Sequence, residues 1–113
     1  MHELSLTESI LNIAVDEAKK HNANKVLEIK LKIGEMSGVV PELIQEYFNI
    51  VSHGTIADSA KLTVEYVPVT VECLDCKNQS KIDKLHFKCP VCSSTNIKLK
   101  TGREFYVDSM EVE

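Results

Sequence analysis

Two Cys-x-x-Cys pairs, Cys73-Leu-Asp-Cys76 and Cys89-Pro-Val-Cys92, limit what this chain can fold into more than any other feature. They hold its only cysteines, and twelve residues separate them. The spacing lets each pair form a tight knuckle and lets the knuckles converge on one point. Zn²⁺ takes four such thiolates in a closed tetrahedron that leaves no position for a substrate, so the site reads as structural. Two disulfides and a thioredoxin-like redox pair are the rivals. Disulfides want a secreted chain, and a redox pair leaves the second Cys-x-x-Cys unexplained. The intervening tip, Lys77 to Lys88, offers only Ile82, Leu85 and Phe87 as sizeable apolar residues. Such a tip needs a metal, whose binding is typically worth on the order of 10 kcal/mol or more.

The chain has 113 residues, enough for one compact domain and a small appendage. Apolar residues make up 43%, so the core is modest and a metal would help secure it. Met1-His2-Glu3-Leu4 has neither the basic start nor the apolar run of a signal peptide. No stretch reaches the roughly 18 apolar residues of a membrane helix. The expectation is a cytoplasmic protein with reduced thiols and no membrane contact. The net charge of −4 argues against general affinity for nucleic acid. Its distribution is uneven: residues 1–76 carry net −6, residues 77–103 net +6 and the last ten residues net −4. A basic ribbon on an acidic body reads first as a solvated surface. The sharper reading is a docking face for an acidic partner or RNA.

Periodicity predicts a helix over residues 4–20, with Ser5-Leu6-Thr7-Glu8 as capping box and Leu6, Ile10, Ile13, Ala14 and Ala18 facing the core. Lys25 to Ile33 alternates as a strand with one buried face. Pro41 fits the first position of a second helix, with Leu43, Ile44, Tyr47, Phe48 and Val51 as its stripe. Gly54 then tolerates a left-handed stop. Lys61 to Glu72 reads as one strand running into Cys73, and strands are expected at Ile97–Lys100 and Glu104–Glu113. The fold class is therefore α/β (α+β): a small mixed sheet of about three strands packed with two helices, with an inserted zinc-ribbon-like subdomain. The expected division is an α/β domain from residues 1–72 and 101–113, and a ribbon from 73–100.

Met1-His2-Glu3 is a second candidate site. A bulky second residue generally blocks removal of the initiator Met. The Met1 amine, the next backbone amide nitrogens and the His2 imidazole could then surround a divalent ion. Nitrogen-rich, tetragonal surroundings favour Ni²⁺ or Cu²⁺ over Zn²⁺, and Glu3 could ligate or orient the imidazole. Read alone, a His at position 2 is an exposed, fraying terminus.

The sequence resembles the HypA/HybF family of hydrogenase-maturation nickel metallochaperones over nearly its whole length. The resemblance rests on Met1-His2-Glu3-Leu4-Ser5, Ile33-Gly34-Glu35-Met36-Ser37-Gly38-Val39, Gly54-Thr55 with Ala60-Lys61-Leu62, both cysteine pairs with Pro90, and Gly102-Arg103-Glu104. It implies that His2 is the principal nickel ligand supported by Glu3, and that Cys73, Cys76, Cys89 and Cys92 hold structural zinc. It also implies delivery of nickel to the large subunit of [NiFe]-hydrogenase with a GTPase partner, and in some members service to urease. A homodimer is compatible with this reading. His21 and His53 sit at helix ends, and His86 in the zinc tip reads as solvated.

Two other function classes compete. A zinc-ribbon adaptor binding RNA or a transcription complex would use the lysines. However, Phe87 is the only aromatic residue in 77–103, and stacking normally supplies part of single-strand affinity. An enzyme is the weakest reading, because no phosphate loop or nucleophile motif is present.

Overall fold

A computed structural model describes every residue except Met1 and Lys84, and of His2 the backbone alone. The chain forms two compact units: Met1–Lys32 with Val39–Glu65 and Tyr106–Glu113, and Ile33–Gly38 with Tyr66–Phe105. The element order is α1 His2–Lys20, β1 Val26–Gly34, α2 Pro41–Val51, β2 Lys61–Val67, β3 Thr70–Cys73, β4 Gln79–Lys81, β5 Ile97–Thr101 and β6 Phe105–Val112.

In the first unit α1 packs on α2, and a three-stranded sheet has the order β2-β1-β6. β1 and β2 run the same way, since Glu28 meets the Thr63 hydroxyl and, further along both strands, Lys32 meets Glu65 at 3.2 Å. β6 runs against β1: the Glu113 amide donates to the Lys25 carbonyl at 2.8 Å, and the Gly34 amide to the Glu104 carbonyl at 2.7 Å. The sheet is therefore mixed, as expected. Its core is Ile10, Ala14 and Ala18 of α1, Val26, Ile29 and Leu31 of β1, Ile44 and Phe48 of α2, and Ala57 and Ala60. Pro41 does occupy the first turn of α2, where a missing N–H costs nothing.

Three local expectations are corrected. First, α1 begins at His2, so Ser5 lies inside the helix and caps nothing. Thr7, fully buried, instead turns its hydroxyl back to the Glu3 carbonyl at 2.5 Å. Second, Ile13 is 47% exposed. The buried face runs through Thr7, Ile10, Ala14 and Ala18, and Ile13 sits about 100° from Ala14 around the axis. Third, the expected strand over Lys61 to Glu72 is two strands in different sheets. Pro68 falls at the break; it has no N–H to give a ladder and fixes its own φ.

The second unit carries the sheet β4-β3-β5, antiparallel throughout. β4 has no counterpart among the expected strands, because Gln79-Ser80-Lys81 has no apolar residue to announce it. Val71, Cys73, Ile97 and Leu99 share one face of this sheet by register, and Glu72, Gln79 and Lys98 share the other. No helix among the described residues is long and apolar enough to cross a membrane.

Candidate metal centre

The same turn is built twice in the second unit. After each Cys-x-x-Cys the next residue adopts a left-handed conformation, Lys77 at φ 65° and Ser93 at φ 61°. The Lys77 amide donates to the Cys73 carbonyl at 3.0 Å and the Ser93 amide to the Cys89 carbonyl at 2.8 Å. Each turn is closed by a second bond, from the Cys73 amide to Asn78 O at 2.9 Å and from the Cys89 amide to Ser94 O at 2.8 Å. Backbone amides also point at the first sulfur of each pair: Cys76 N to Cys73 Sγ and Val91 N to Cys89 Sγ, both 3.4 Å.

These turns bring four sulfurs, all within 4.8 Å of one another, to a single point. Cys73 Sγ lies 3.5 Å from Cys92 Sγ, and Cys76 Sγ lies 3.6 Å from Cys89 Sγ. Those separations exceed the roughly 2.05 Å of a disulfide. They approach the ~3.8 Å edge of a tetrahedron with 2.3 Å metal–sulfur bonds. The donor set thus fits a tetrathiolate ion of the Zn²⁺ type and not two disulfides.

The electrostatics prepare the sulfurs for a cation. The Cys76 amide, outweighing desolvation, lowers the Cys73 thiol to about 7. The Cys92 and Val91 amides lower Cys89 likewise. For Cys92 the Ser94 amide favours the thiolate, but the Cys73 sulfur, desolvation and the other two sulfurs push it up to about 12. Four thiolates so close cannot coexist without a cation, and a bound metal would displace the remaining protons.

A carboxylate ties the two knuckles together, and sequence reasoning missed it. Asp75, inside the first pair, accepts from the Ser94 hydroxyl and from Asn96 Nδ2 at 3.3 Å. These bonds, Ser94 first, hold Asp75 below the usual carboxylate range. Ser94 Oγ also accepts from the Asn96 amide at 3.0 Å, and the Leu74 amide donates to the Asn96 carbonyl at 2.9 Å. The only sequence signal was an acid within one pair and a Ser-Ser-Thr-Asn run after the other. Asp75→Ala should preserve the fold yet release zinc to a chelator about tenfold faster, the scale typical of lost outer-shell partners. Stopped-flow release with a chromogenic chelator would measure it, and an unchanged rate would show the tie to be idle.

The amino-terminal site stands differently. Met1 and the His2 side chain lie outside the described residues. Glu3 is in the first turn of α1 and half-buried. Each of the other histidines lies beside a carboxylate of its own unit: His21 with Glu17 at 3.7 Å, His53 with Asp58 at 3.5 Å and His86 with Asp83 at 3.8 Å, all well exposed.

Two helices, a mixed sheet and a ribbon closed by four cysteine sulfurs define a small metal-binding α/β protein with a zinc-ribbon-like second unit. A family model described as "Hydrogenase/urease nickel incorporation, metallochaperone, hypA" matches residues 1–112, and the chain belongs to that HypA family. A hydrogenase maturation factor HypA of Caldanaerobacter subterraneus subsp. tengcongensis is 38% identical, with 100% of both chains covered. One from Aquifex aeolicus is 35% identical, over 100% of this chain and 98% of its own. A solution structure of HypA protein superposes with a TM-score of 0.77 at 29% identity, covering 100% of this chain and 97% of that one. The solution structure of the Ni metallochaperone HypA from Helicobacter pylori gives 0.68 at 27% identity, covering 97% and 96%.

Proposed function

We propose that this nickel metallochaperone carries Ni²⁺ at its amino terminus through Met1, His2 and Glu3, and uses zinc on Cys73, Cys76, Cys89 and Cys92 only as scaffolding. The observation that carries the division is the sulfur cluster itself. Its four ligands close a tetrahedron, and Cys73 and Cys89 are buried, so cargo has no vacant position to enter there. The start of α1 supports the other half. Glu3 lies in the first turn of α1 and adjoins His2 along the chain, so the two side chains the site would use come from neighbouring positions.

A carrier must hold its ion selectively and still release it. Ligands at a chain terminus can be exchanged one at a time with an acceptor, without catalytic turnover. The chain would act in the cytoplasm, where its thiols stay reduced. Its acceptor would be the hydrogenase large subunit, with a nickel-handling GTPase as co-worker, and a urease in addition where one is present.

Nickel titration of protein beginning at its natural Met1 tests the assignment. His2→Ala, or a short extension ahead of Met1, should weaken Ni²⁺ binding about a hundredfold or more. Zinc content and circular dichroism should stay unchanged. Equal nickel affinity in the variant would remove the terminal site.

A further inference from the structure

The outer face of the ribbon sheet is charged in a pattern that the metal centre does not explain. By strand register, Gln79 and Lys81 of β4, Thr70 and Glu72 of β3, and Lys98 of β5 lie on the face opposite Val71 and Cys73; Lys100, unpaired at the register shift between Leu99 and Thr101, meets Glu72 on that same face. Lys81, Lys98 and Lys100 are exposed, and Glu72 is the one acid among the six. Glu72 is engaged by Lys100 at 3.6 Å. Among the described residues, Lys81 and Lys98 form no ion pair.

We infer that this face binds an acidic, extended segment of a partner protein. Lys98 and Lys100 stand two residues apart on β5, at most about 7 Å with the bulge at Lys100, and Lys81 is two strands across, about 10 Å. Carboxylates at alternate positions of an extended peptide repeat at the same ~7 Å interval. Both outer strands of the sheet, β4 and β5, are edges. Lysines there discourage pairing with neutral or basic strands and leave acidic ones welcome. Nucleic acid is a poorer match: the face carries no aromatic ring, and the chain as a whole is net −4. The inference concerns a surface remote in chemistry from the nickel ligands and stands whether or not the terminal site is correct.

Fluorescence anisotropy of a fluorescein-labelled alternating Glu-Thr peptide with the zinc-loaded full-length protein tests it. Binding should weaken as salt rises. Lys81→Gln, Lys98→Gln and Lys100→Gln together should weaken it about tenfold, with zinc content retained. Glu72→Gln, which removes the face's only acid, should tighten binding, a direction that loss of structure cannot produce. The inference is overturned if the triple variant binds like wild type, if Glu72→Gln weakens binding, or if single-stranded RNA of matched charge displaces the peptide.

Discussion

Replacing Cys76 by Ser is expected to strip the metal and to unfold the second unit while leaving the first one folded. The reason lies in what that unit buries. Its fully buried apolar side chains among the described residues are Ile33, Val69, Val71, Cys73 and Cys89, so two of the five belong to the sulfur cluster. The other apolar residues near the knuckles face water: Leu74 is 41% exposed, Phe87 45%, Val91 64% and Leu85 79%. Such a unit has little core of its own and depends on the ion for cooperativity. Serine keeps the shape of cysteine but is a poor ligand for zinc, and three sulfurs leave the tetrahedron open. The first unit has an independent core built on Phe48, Ile29 and Leu31, and should keep its helices. Elemental analysis should show zinc falling to a small fraction, and hydrogen exchange should show residues 66–105 losing protection while α1 and α2 keep theirs. Full zinc stoichiometry in this variant would refute the tetrathiolate centre.

That dependence explains why the metal centre was legible in the sequence and its surroundings were not. Ligand spacing is written directly into the chain, and two Cys-x-x-Cys pairs admit few geometries. The period-two pattern of β1 is equally plain from Glu28 to Ile33, where one face is wet and the other buried, although Leu27 is exposed and Val26 buried against that pattern. Ser5 and Glu8 satisfy the local rule for a helix start, but α1 runs back through Glu3, so that pattern marks no terminus here. Pro68 was visible, yet the alternation on either side of it hid the change of sheet. The Asp75 tie joins residues 19 and 21 positions apart, a separation that spacing rules do not reach. The proposed nickel site rests on residue chemistry and becomes specific only through family resemblance, since a histidine at position 2 has no periodic signature.

Gly34→Ala is the second variant from which a large effect is expected, and it concerns two motifs that drew attention only as family likeness. A Cβ on Gly34 would lie 2.2 Å from both the carbonyl carbon and the oxygen of Gly102, and 2.6 Å from the Arg103 amide nitrogen. All three are backbone atoms, which cannot swing aside as a side-chain tip can. Gly102 has no freedom to retreat: its φ of +128° suits only glycine, and a Cβ there would itself meet Val69 at 3.1 Å. The contact is sewn by hydrogen bonds from the Gly34 amide to Glu104 O and from the Met36 amide to Gly102 O, both 2.7 Å. Two carboxylates complete it, Glu35 accepting from the Val69 amide at 3.3 Å and Glu104 from the Gly102 amide at 2.7 Å. Ile33–Gly38 and Gly102–Glu104 are thus two halves of one backbone junction, and their residue types have a packing cause separate from metal chemistry. An alanine at 34 must prise the halves apart, losing at least two of these bonds and leaving buried groups unpaired, at about 3–5 kcal/mol. Gly38→Ala, with open space around its Cβ position, should cost only about 1 kcal/mol from its positive φ. Urea denaturation of the two zinc-loaded variants side by side will decide: a Gly34→Ala midpoint no lower than that of Gly38→Ala would mean that the junction yields without cost.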